Sequence, residues 1–269
     1  MTQQAQKGWA VVTGATGGIG AAICERLHQE GWSLLLVARH ELALARLQQQ
    51  LLAQGPQSDV RLLALDITAP EAGALLQEQV KALPGPCDLL INGAGCQRFA
   101  WLEEQAEEEI LRQLSLNLLA PIRLSRALLP LLGRKGAIVN IGSTLGAIGY
   151  PGCSVYCASK AGLHHFTEAL GREIGKEGPR VLLLAPRATD TEINAGPMEA
   201  LNEELGTAVD TPERVADELM QLLNGSSRRR FIGWPEKFFA RLNGLLPFLV
   251  DGAMEKQRLV IQRFARLKA

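Results

Sequence analysis

The chain has 269 residues, of which 47% are hydrophobic, and its 28 Lys and Arg residues balance 28 Asp and Glu residues. This length and composition are enough for one well-buried core and do not require a second domain. The balanced charge gives no general reason to expect nucleic acid as a partner. We therefore expect residues 1–269 to form one domain without a nucleic-acid partner.

The cysteines and the N-terminus indicate where the protein resides. Five cysteines are scattered without the spacing of a disulfide framework or a zinc site, and free thiols suit a reducing cytosol. Residues 1–8 lack the apolar segment of a signal peptide, and no run reaches the roughly 18 apolar residues needed to cross a membrane. His164 and His165 lack partners at metal-ligand spacing. The sequence predicts a cytoplasmic protein without a bound metal.

Apolar runs alternate with helical patterns along most of the chain. The runs that predict β-strands are residues 9–13, 34–37, 60–65, 89–91, 137–141 and 181–184. The segments with helical spacing are residues 18–30, 42–52, 71–83, 105–132 (bent near Pro121) and 153–175. Strands that are apolar on both faces and alternate with helices are typical of a covered parallel sheet. The sequence therefore predicts an α/β fold with a Rossmann-like, doubly wound parallel sheet, helices on both faces and a C-terminal helical extension.

A glycine-rich turn lies between the first predicted strand and the first predicted helix. Its glycines are Gly14, Gly18 and Gly20. The first permits a tight turn, and the missing side chains let the backbone approach a pyrophosphate at the positive end of the helix. Thr16 and Ile19 belong to the same turn, and we expect them to contact the dinucleotide. The alternative is a loop whose glycines only turn the chain.

The end of the second predicted strand bears on which dinucleotide is bound. NAD-binding proteins place an acidic residue there for the ribose hydroxyls, whereas this chain has Ala38 followed by Arg39. A guanidinium pairs well with a 2′-phosphate. The position therefore favours NADP over NAD, and the alternative is a solvated surface arginine.

Asp66 closes the third predicted strand. The carboxyl ends of strands face the ligand crevice in such sheets, so Asp66 could accept a hydrogen bond from an adenine amine. It would serve equally well as the cap of a helix beginning near Pro70. Both interpretations stay open.

Three side chains suited to proton transfer follow in the second half of the chain. Tyr156 and Lys160 lie four residues apart and share a helix face, and Ser143 follows the fifth predicted strand. A tyrosine has a reference pKa of about 10, so we expect the Lys160 ammonium to lower the pKa of the phenol. Ser143 would hydrogen-bond a carbonyl or alcohol while Tyr156 supplies or takes its proton. The alternative is a surface helix beside a loop serine.

The two motifs together resemble the short-chain dehydrogenase/reductase family over roughly residues 8–225. They are Thr-Gly-x-x-x-Gly-x-Gly at residues 13–20 and Tyr-x-x-x-Lys at residues 156–160. The resemblance implies hydride transfer between a nicotinamide and a ketone or secondary alcohol, with Tyr156 and Lys160 also contacting the cofactor. It further implies a homodimer or homotetramer.

The resemblance assigns roles to further positions. Asn117 matches a helix asparagine that holds a proton-relay water near the lysine, although it could also be an ordinary polar residue of a long helix. Gly93 replaces an asparagine of the family's element after the fourth strand. The remaining cofactor contacts implied are Asn92, Ala94, Gly95, Ile67 and Thr191.

The surroundings of the substrate depart from the family pattern. Arg187 replaces a glycine, so we expect an altered local backbone, because arginine tolerates positive φ poorly. Residues 192–210 are polar and predict a mobile lid. Cys153 and Cys157 flank Tyr156, and we expect one of them to line the substrate pocket.

The chain continues beyond a seventh predicted strand at residues 230–232 into an extension of about residues 233–269. It is rich in apolar residues and ends in an amphipathic stretch from Met254 to Lys268. One interpretation is that these helices pack on the core, taken as residues 8–232, or on another subunit. The other is that they form an apolar lid over a lipid-like substrate and that this lid touches a membrane surface.

The main hypothesis is an NADP-dependent oxidoreductase for a ketone or secondary alcohol, of hydrophobic or 3-oxoacyl type. A catalytically silent nucleotide sensor or scaffold is one alternative, and a lipid-binding protein of the membrane surface is another. The presence of Ser143, Tyr156 and Lys160 argues against a sensor, which needs none of them.

Overall fold

Seven parallel strands form the sheet that carries the site, in the order β3-β2-β1-β4-β5-β6-β7. The computed structural model describes residues 7–54 and 58–267. The strands are β1 (Trp9–Thr13), β2 (Ser33–Ala38), β3 (Val60–Ala64), β4 (Cys87–Asn92), β5 (Ala137–Ile141), β6 (Arg180–Ala185) and β7 (Arg229–Phe231). The predicted fold class is confirmed.

Helices connect the strands and cover the sheet. They are α1 (Gly18–Gln29), α2 (Glu41–Ala53), α3 (Ala72–Lys81), α4 (Glu107–Leu114), α5 (Ala120–Leu128), α6 (Ser154–Ile174), α7 (Pro197–Glu204), α8 (Pro212–Asn224), α9 (Glu236–Leu245) and α10 (Pro247–Ala265).

Alternation along β1 shows how both faces of the sheet are buried. Ala10 and Val12 belong to a core layer shared with α1, α2 and α8, whereas Trp9 and Val11 face a second layer shared with α3 and α5. Successive side chains of a strand point to opposite faces, so a strand between two helical layers must be apolar throughout. The strand order reverses between β1 and β4, and a ligand crevice forms at such a reversal.

The long predicted helix at residues 105–132 is interrupted by a wider turn. α4 ends at Leu114, a π-helical segment runs from Ser115 to Leu119, and α5 follows. The predicted bend near Pro121 therefore occurs a few residues earlier. Pro121 has no N–H, so the carbonyl of Asn117 lacks its usual α-helical donor, and the wider turn precedes the proline.

The segment predicted as a lid contains ordered structure. A 3₁₀ turn spans Glu192–Asn194, and α7 follows with Met198 and Leu201 buried. The mobility of this segment stays a prediction.

The C-terminal extension consists of α9 and α10. α10 begins at Pro247, seven residues before the predicted amphipathic stretch, and Lys268 lies outside the described residues. Among the described residues, no helix combines the length and apolarity needed to cross a membrane.

We predict that the central strands carry the stability of the fold. Ile91 of β4 is fully buried, so Ile91→Ala should lower the free energy of unfolding by about 2–5 kcal/mol in urea titrations. Leu42→Ala is the control, because Leu42 on α2 is 77% exposed, and it should change stability by less than about 0.5 kcal/mol. Equal losses in both variants would contradict this account.

Candidate active site

At two glycines of the turn the neighbouring backbone lies too close for any side chain. Gly14 has φ +69°, and a Cβ there would lie 2.7 Å from the backbone N of Ala94. A Cβ on Gly20 would lie 2.0 Å from the carbonyl oxygen of Gly14. Glycine is therefore required at both positions, and the turn between β1 and α1 forms a cradle of bare backbone.

The start of α1 suits an anion, and it lies beside a residue from far along the chain. The first turn of α1 contains no acidic side chain, so its free N–H groups face no competing charge. A Cβ on Gly18 would lie 2.7 Å from the Cγ2 of Thr191. Ile19 and Thr191 line the same cavity, and Thr16 lies half-buried in the turn. The residues predicted to hold a dinucleotide are thus brought together here.

The ends of β1 and β4 are joined at the crevice by Thr13. Its hydroxyl donates to the carbonyl of Ile91 at 3.2 Å and accepts from the N–H of Gly93 at 3.1 Å. These bonds hold the backbone of residues 93–95 against the glycine turn. Gly93 and Gly95 line the cavity, and Ala94 packs against Gly14.

Asn92 is placed differently from the other predicted cofactor contacts. Its side chain is buried and donates to Asn140 at 2.8 Å and to Ser125 at 3.2 Å. Asn140 in turn donates to Thr167 of α6 at 2.8 Å. Asn92 therefore ties β4 to β5 beneath the crevice, and only its main chain can face a cofactor.

The side chains predicted to select the cofactor follow β2 and β3. Arg39 is exposed directly after β2 and, within the described part of the chain, makes no hydrogen bond or salt bridge to a protein side chain. Asp66 accepts bonds from the N–H and hydroxyl of Thr68 at 2.9 and 2.7 Å, which lower the pKa of its carboxyl. It heads a turn and does not cap the next helix, which was one of the two open interpretations, because Glu71 is the residue that precedes α3. Ile67 is buried, so only its backbone can reach a ligand.

Ser143, Tyr156 and Lys160 meet at the end of β5, and all three are buried. The Lys160 Nζ donates to the carbonyl of Ile141 at 2.9 Å and lies 5.8 Å from the centre of the tyrosine ring. The Ser143 hydroxyl forms a hydrogen bond with Tyr156 and accepts from the N–H of Leu145 at 3.1 Å. The three side chains predicted from sequence as a proton-transfer group are thus in one cluster.

The electrostatics of the cluster differ from the expectation in one respect. Burial raises the pKa of Tyr156, and the hydrogen bond with Ser143 opposes this only in part. Burial also lowers the pKa of Lys160 to about 8. The expected lowering of the pKa of Tyr156 by Lys160 is therefore wrong, because burial is the dominant effect and it raises this pKa.

The position of Asn117 next to this cluster agrees with the family's placement. Its amide donates to the carbonyl of Cys96 at 2.8 Å and to Ser159 at 3.1 Å, and its oxygen accepts from the N–H of Cys96 at 2.9 Å. A Cβ on Gly95 would lie 3.3 Å from the Asn117 oxygen and 3.6 Å from the Lys160 Nζ. Both protons of the side-chain amide are already donated. A relay water would therefore have to bind the main-chain carbonyl of Asn117 in the π-helical turn.

His164 is a site residue that the sequence reasoning missed. It lies one helical turn beyond Lys160, and its Nε2 accepts from the N–H of Ser143 at 3.5 Å. A Cβ on Gly142 or Gly146 would lie within 2.6 Å of the imidazole, so the ring supports the Ser143 loop from below. Burial lowers the pKa of His164 to about 4. The spacing 156, 160, 164 was the available signal, since it places the three side chains on one helix face.

A cavity of about 350 Å³ opens beside the cluster. Ser143, Tyr156 and Lys160 form part of its wall together with Gly95 and Ile19. The remaining wall is largely apolar and includes Leu145, Ile148, Met198, Phe239, Val250 and Met254. The last three belong to α9 and α10, so the extension closes one side of the cavity.

The two cysteines beside Tyr156 do not line this cavity, contrary to the expectation. Cys153 and Cys157 are buried in an apolar cluster with Met198, Leu201 and Ile261. Burial raises the pKa of both thiols. They therefore pack the extension against α6.

Arg187 attaches the extension to the core. It pairs with Asp210 at 2.9 and 3.0 Å and with Glu236 of α9 at 3.2 Å. Asp210 also accepts from Arg214 at 2.8 Å. The expected backbone distortion is wrong, because among the described residues only glycines have positive φ. Arg187 also forms part of the cavity wall and places a cation there.

Comparison with known proteins agrees with this site. The family model for short chain dehydrogenase matches residues 8–201. A 3-oxoacyl-[acyl-carrier-protein] reductase from Haemophilus influenzae is 36% identical over 186 residues, which is 68% of this chain and 75% of that protein. Carbonyl reductase family member 4 from Danio rerio is 36% identical over 188 residues, covering 70% and 78%.

Solved structures are similar over a larger part of the chain. A short-chain dehydrogenase from Sphingobium yanoikuyae in complex with NADPH has a TM-score of 0.76 at 28% identity, covering 91% of this chain and 96% of that one. A short-chain dehydrogenase from Streptomyces avermitilis has a TM-score of 0.77 at 29% identity, covering 96% and 98%. The fold and the site define an oxidoreductase of the dinucleotide-binding class. The chain belongs to the short-chain dehydrogenase/reductase family, which confirms the resemblance and the predicted enzyme class.

We predict a pH dependence of stability that arises from His164. Its pKa is about 4 in the folded protein, against 6.5 for an ordinary histidine, so the folded state binds fewer protons between these two pH values. Stability therefore rises with pH across this window and is lost as pH falls. His164→Gln keeps an acceptor for the Ser143 N–H and should remove about 2 kcal/mol of that dependence in urea titrations between pH 4 and 6.5.

The control for this variant is His165→Gln, because His165 is exposed on the same helix. The control should keep the slope of the wild-type protein. An unchanged slope in His164→Gln would show that other groups cause the pH dependence.

Proposed function

We propose that the chain transfers hydride between NADP and a ketone or secondary alcohol of hydrophobic or 3-oxoacyl type. One observation carries the proposal: Ser143, Tyr156 and Lys160 form the wall of an apolar cavity that continues to the glycine turn. The cradle at Gly14 and the acid-free start of α1 fit the pyrophosphate of a dinucleotide. When bound, the nicotinamide supplies or accepts the hydride.

The buried side chains support carbonyl reduction in particular. The Ser143 hydroxyl is placed to donate to a substrate oxygen, and Tyr156 supplies the proton that this oxygen needs as it becomes an alcohol. The phenol of Tyr156 is protonated at neutral pH, and because burial raises its pKa further, its proton transfer needs a nearby cation to stabilise the phenolate. The Lys160 ammonium, held by the Ile141 carbonyl, stabilises the phenolate left after the transfer.

The cavity wall supports an apolar substrate. Side chains from the Ser143 loop, α7 and the extension surround the space next to Tyr156, and most of them are aliphatic or aromatic. The relatives named as 3-oxoacyl-[acyl-carrier-protein] reductases act on a substrate that joins a ketone to an acyl chain. A medium-length 3-oxoacyl thioester is therefore the first substrate to test, followed by simple alkyl ketones.

Arg39 supports NADP as the cofactor. Its guanidinium is exposed and forms no hydrogen bond or salt bridge with a protein side chain within the described residues, and Asp66 is a carboxylate that interacts with it electrostatically. Several solved relatives contain NADP or NADPH. The cytoplasmic location and the homodimer or homotetramer remain predictions.

We predict that Tyr156 is required for turnover. Tyr156→Phe removes the proton donor and should lower kcat at least about 100-fold in NADPH oxidation assays with the substrate panel. Binding of NADP, followed by isothermal titration calorimetry, should change by less than about fivefold. Tyr150→Phe is the matched control, because Tyr150 is the only other tyrosine and lines the same cavity.

The control should alter KM more than kcat. Wild-type protein that binds NADP but turns over no member of the panel would favour the silent sensor. Full activity in Tyr156→Phe would overturn the proposed chemistry.

We predict that Arg39 sets the preference for NADP. Arg39→Asp removes the guanidinium and restores a carboxylate for ribose hydroxyls, so the Kd for NADP should rise about 10- to 100-fold while binding of NAD improves. Arg134→Asp changes the net charge equally at an exposed loop before β5 and should leave both Kd values unchanged. If Arg39→Asp weakens the binding of NADP and of NAD equally, Arg39 does not contact the 2′-phosphate.

A further inference from the structure

The outer surface of the extension is apolar, although its inner surface already packs on the core. Asn243 donates to the carbonyl of Ala147 at 2.9 Å, Glu236 pairs with Arg187, and Phe239 lines the cavity. These three residues fix one side of α9. The opposite side of the helix must therefore face away from the protein.

That opposite side combines apolar and basic residues. Lys237, Phe238, Arg241 and Leu245 follow each other at the spacing of one helix face and are all exposed. Phe238 is 50% exposed and Leu245 is 80% exposed. We call this surface the α9 tip; it consists of Trp234, Lys237, Phe238, Arg241, Leu245, Leu246, Phe248 and Leu249.

Two exposed rings of the α9 tip are neighbours in space, and the other exposed apolar residues follow along the chain. The rings of Trp234 and Phe238 lie 6.1 Å apart. The turn between α9 and α10 carries Leu246 and the first residues of α10, where Phe248 is 63% exposed. A group of large exposed apolar side chains of this kind usually marks a contact site.

The charges of the α9 tip indicate what it contacts. Residues 237–250 include Lys237 and Arg241 but no acidic residue, although the whole chain has equal numbers of acidic and basic residues. The next acidic residue is Asp251, on α10. An apolar strip bordered by cations, with a tryptophan at its edge, matches the headgroup region of an anionic lipid bilayer.

A second copy of the chain fits this surface less well. A two-fold contact between α9 tips would bring both copies of Lys237 and Arg241 into one interface, with no carboxylate in either tip to neutralise them. Anionic headgroups provide that neutralisation, and the apolar side chains enter the boundary with the acyl chains.

We propose that the α9 tip binds the surface of an anionic lipid bilayer and that the protein is a peripheral membrane protein. The inner sides of the same two helices line the substrate cavity, so docking would place the cavity next to the bilayer. If the proposed function holds, an apolar ketone could pass from the lipid phase to Tyr156. Bilayer binding itself requires neither cofactor nor substrate, so its test is independent of the activity assays.

The test is co-sedimentation of the full chain with vesicles. Wild-type protein should pellet with vesicles of phosphatidylcholine mixed with phosphatidylglycerol and much less with phosphatidylcholine alone. The double variant Phe238→Glu with Leu245→Glu should bind anionic vesicles at least about tenfold more weakly. The double variant Lys237→Gln with Arg241→Gln should lose about tenfold on anionic vesicles only.

The double variant Leu42→Glu with Leu52→Glu is the matched control, because it places the same two charges at exposed leucines on α2. It should bind vesicles like the wild-type protein. Thermal unfolding checks that each variant is folded, and the fluorescence of Trp234 gives a second measurement on unaltered protein. Emission should shift to shorter wavelength with anionic vesicles, and Trp234→Phe should abolish the shift.

Three outcomes would overturn the proposal. The first is an absence of both pelleting and spectral shift with anionic vesicles. The second is equal weakening by the control variant Leu42→Glu with Leu52→Glu. The third combines two results: the wild-type protein does not bind vesicles, and the glutamate double variant forms a smaller assembly than the wild-type protein in sedimentation velocity without lipid. This outcome would assign the α9 tip to a contact between copies of the chain.

Discussion

The site depends on one buried positive charge. Lys160 is removed from water, and its ammonium donates to the main-chain carbonyl at the end of β5 at 2.9 Å. Burial of a cation is costly, and here it lowers the pKa of the amine to about 8, so the amine is still mostly protonated at neutral pH. The hydrogen bond to the Ile141 carbonyl holds this charge at the strand end.

The same burial acts on Tyr156 in the opposite sense. A phenol in this place is harder to ionise, and the phenolate becomes accessible only when a proton acceptor and a compensating charge are both present. The phenol therefore keeps its proton at rest and is not a permanent base. His164 contributes indirectly, since its uncharged ring supports the loop that holds Ser143.

Features that arise from local chain geometry could be predicted from the sequence. The glycine turn, the spacing of Tyr156 and Lys160, and the alternation of apolar runs with helices each follow from short segments, and the structure has them where expected. The network from Asn92 to Thr167 could not be predicted, because it depends on the register of β4 against β5 and on the packing of α6. The direction of the Tyr156 pKa shift was misjudged because burial depends on the whole fold.

Two departures from the family pattern meet in one ion-pair cluster. Arg187 replaces a glycine, and the chain has an extension after β7; Glu236 of that extension is the residue that Arg187 holds. Asp210 is almost fully buried and is neutralised by both Arg187 and Arg214. A buried ion pair contributes little net stability compared with apolar packing, but removal of one partner leaves a charge without compensation. The pairing therefore fixes where α9 sits: one side of the helix is held against the cavity, and its apolar and basic side is left facing outward.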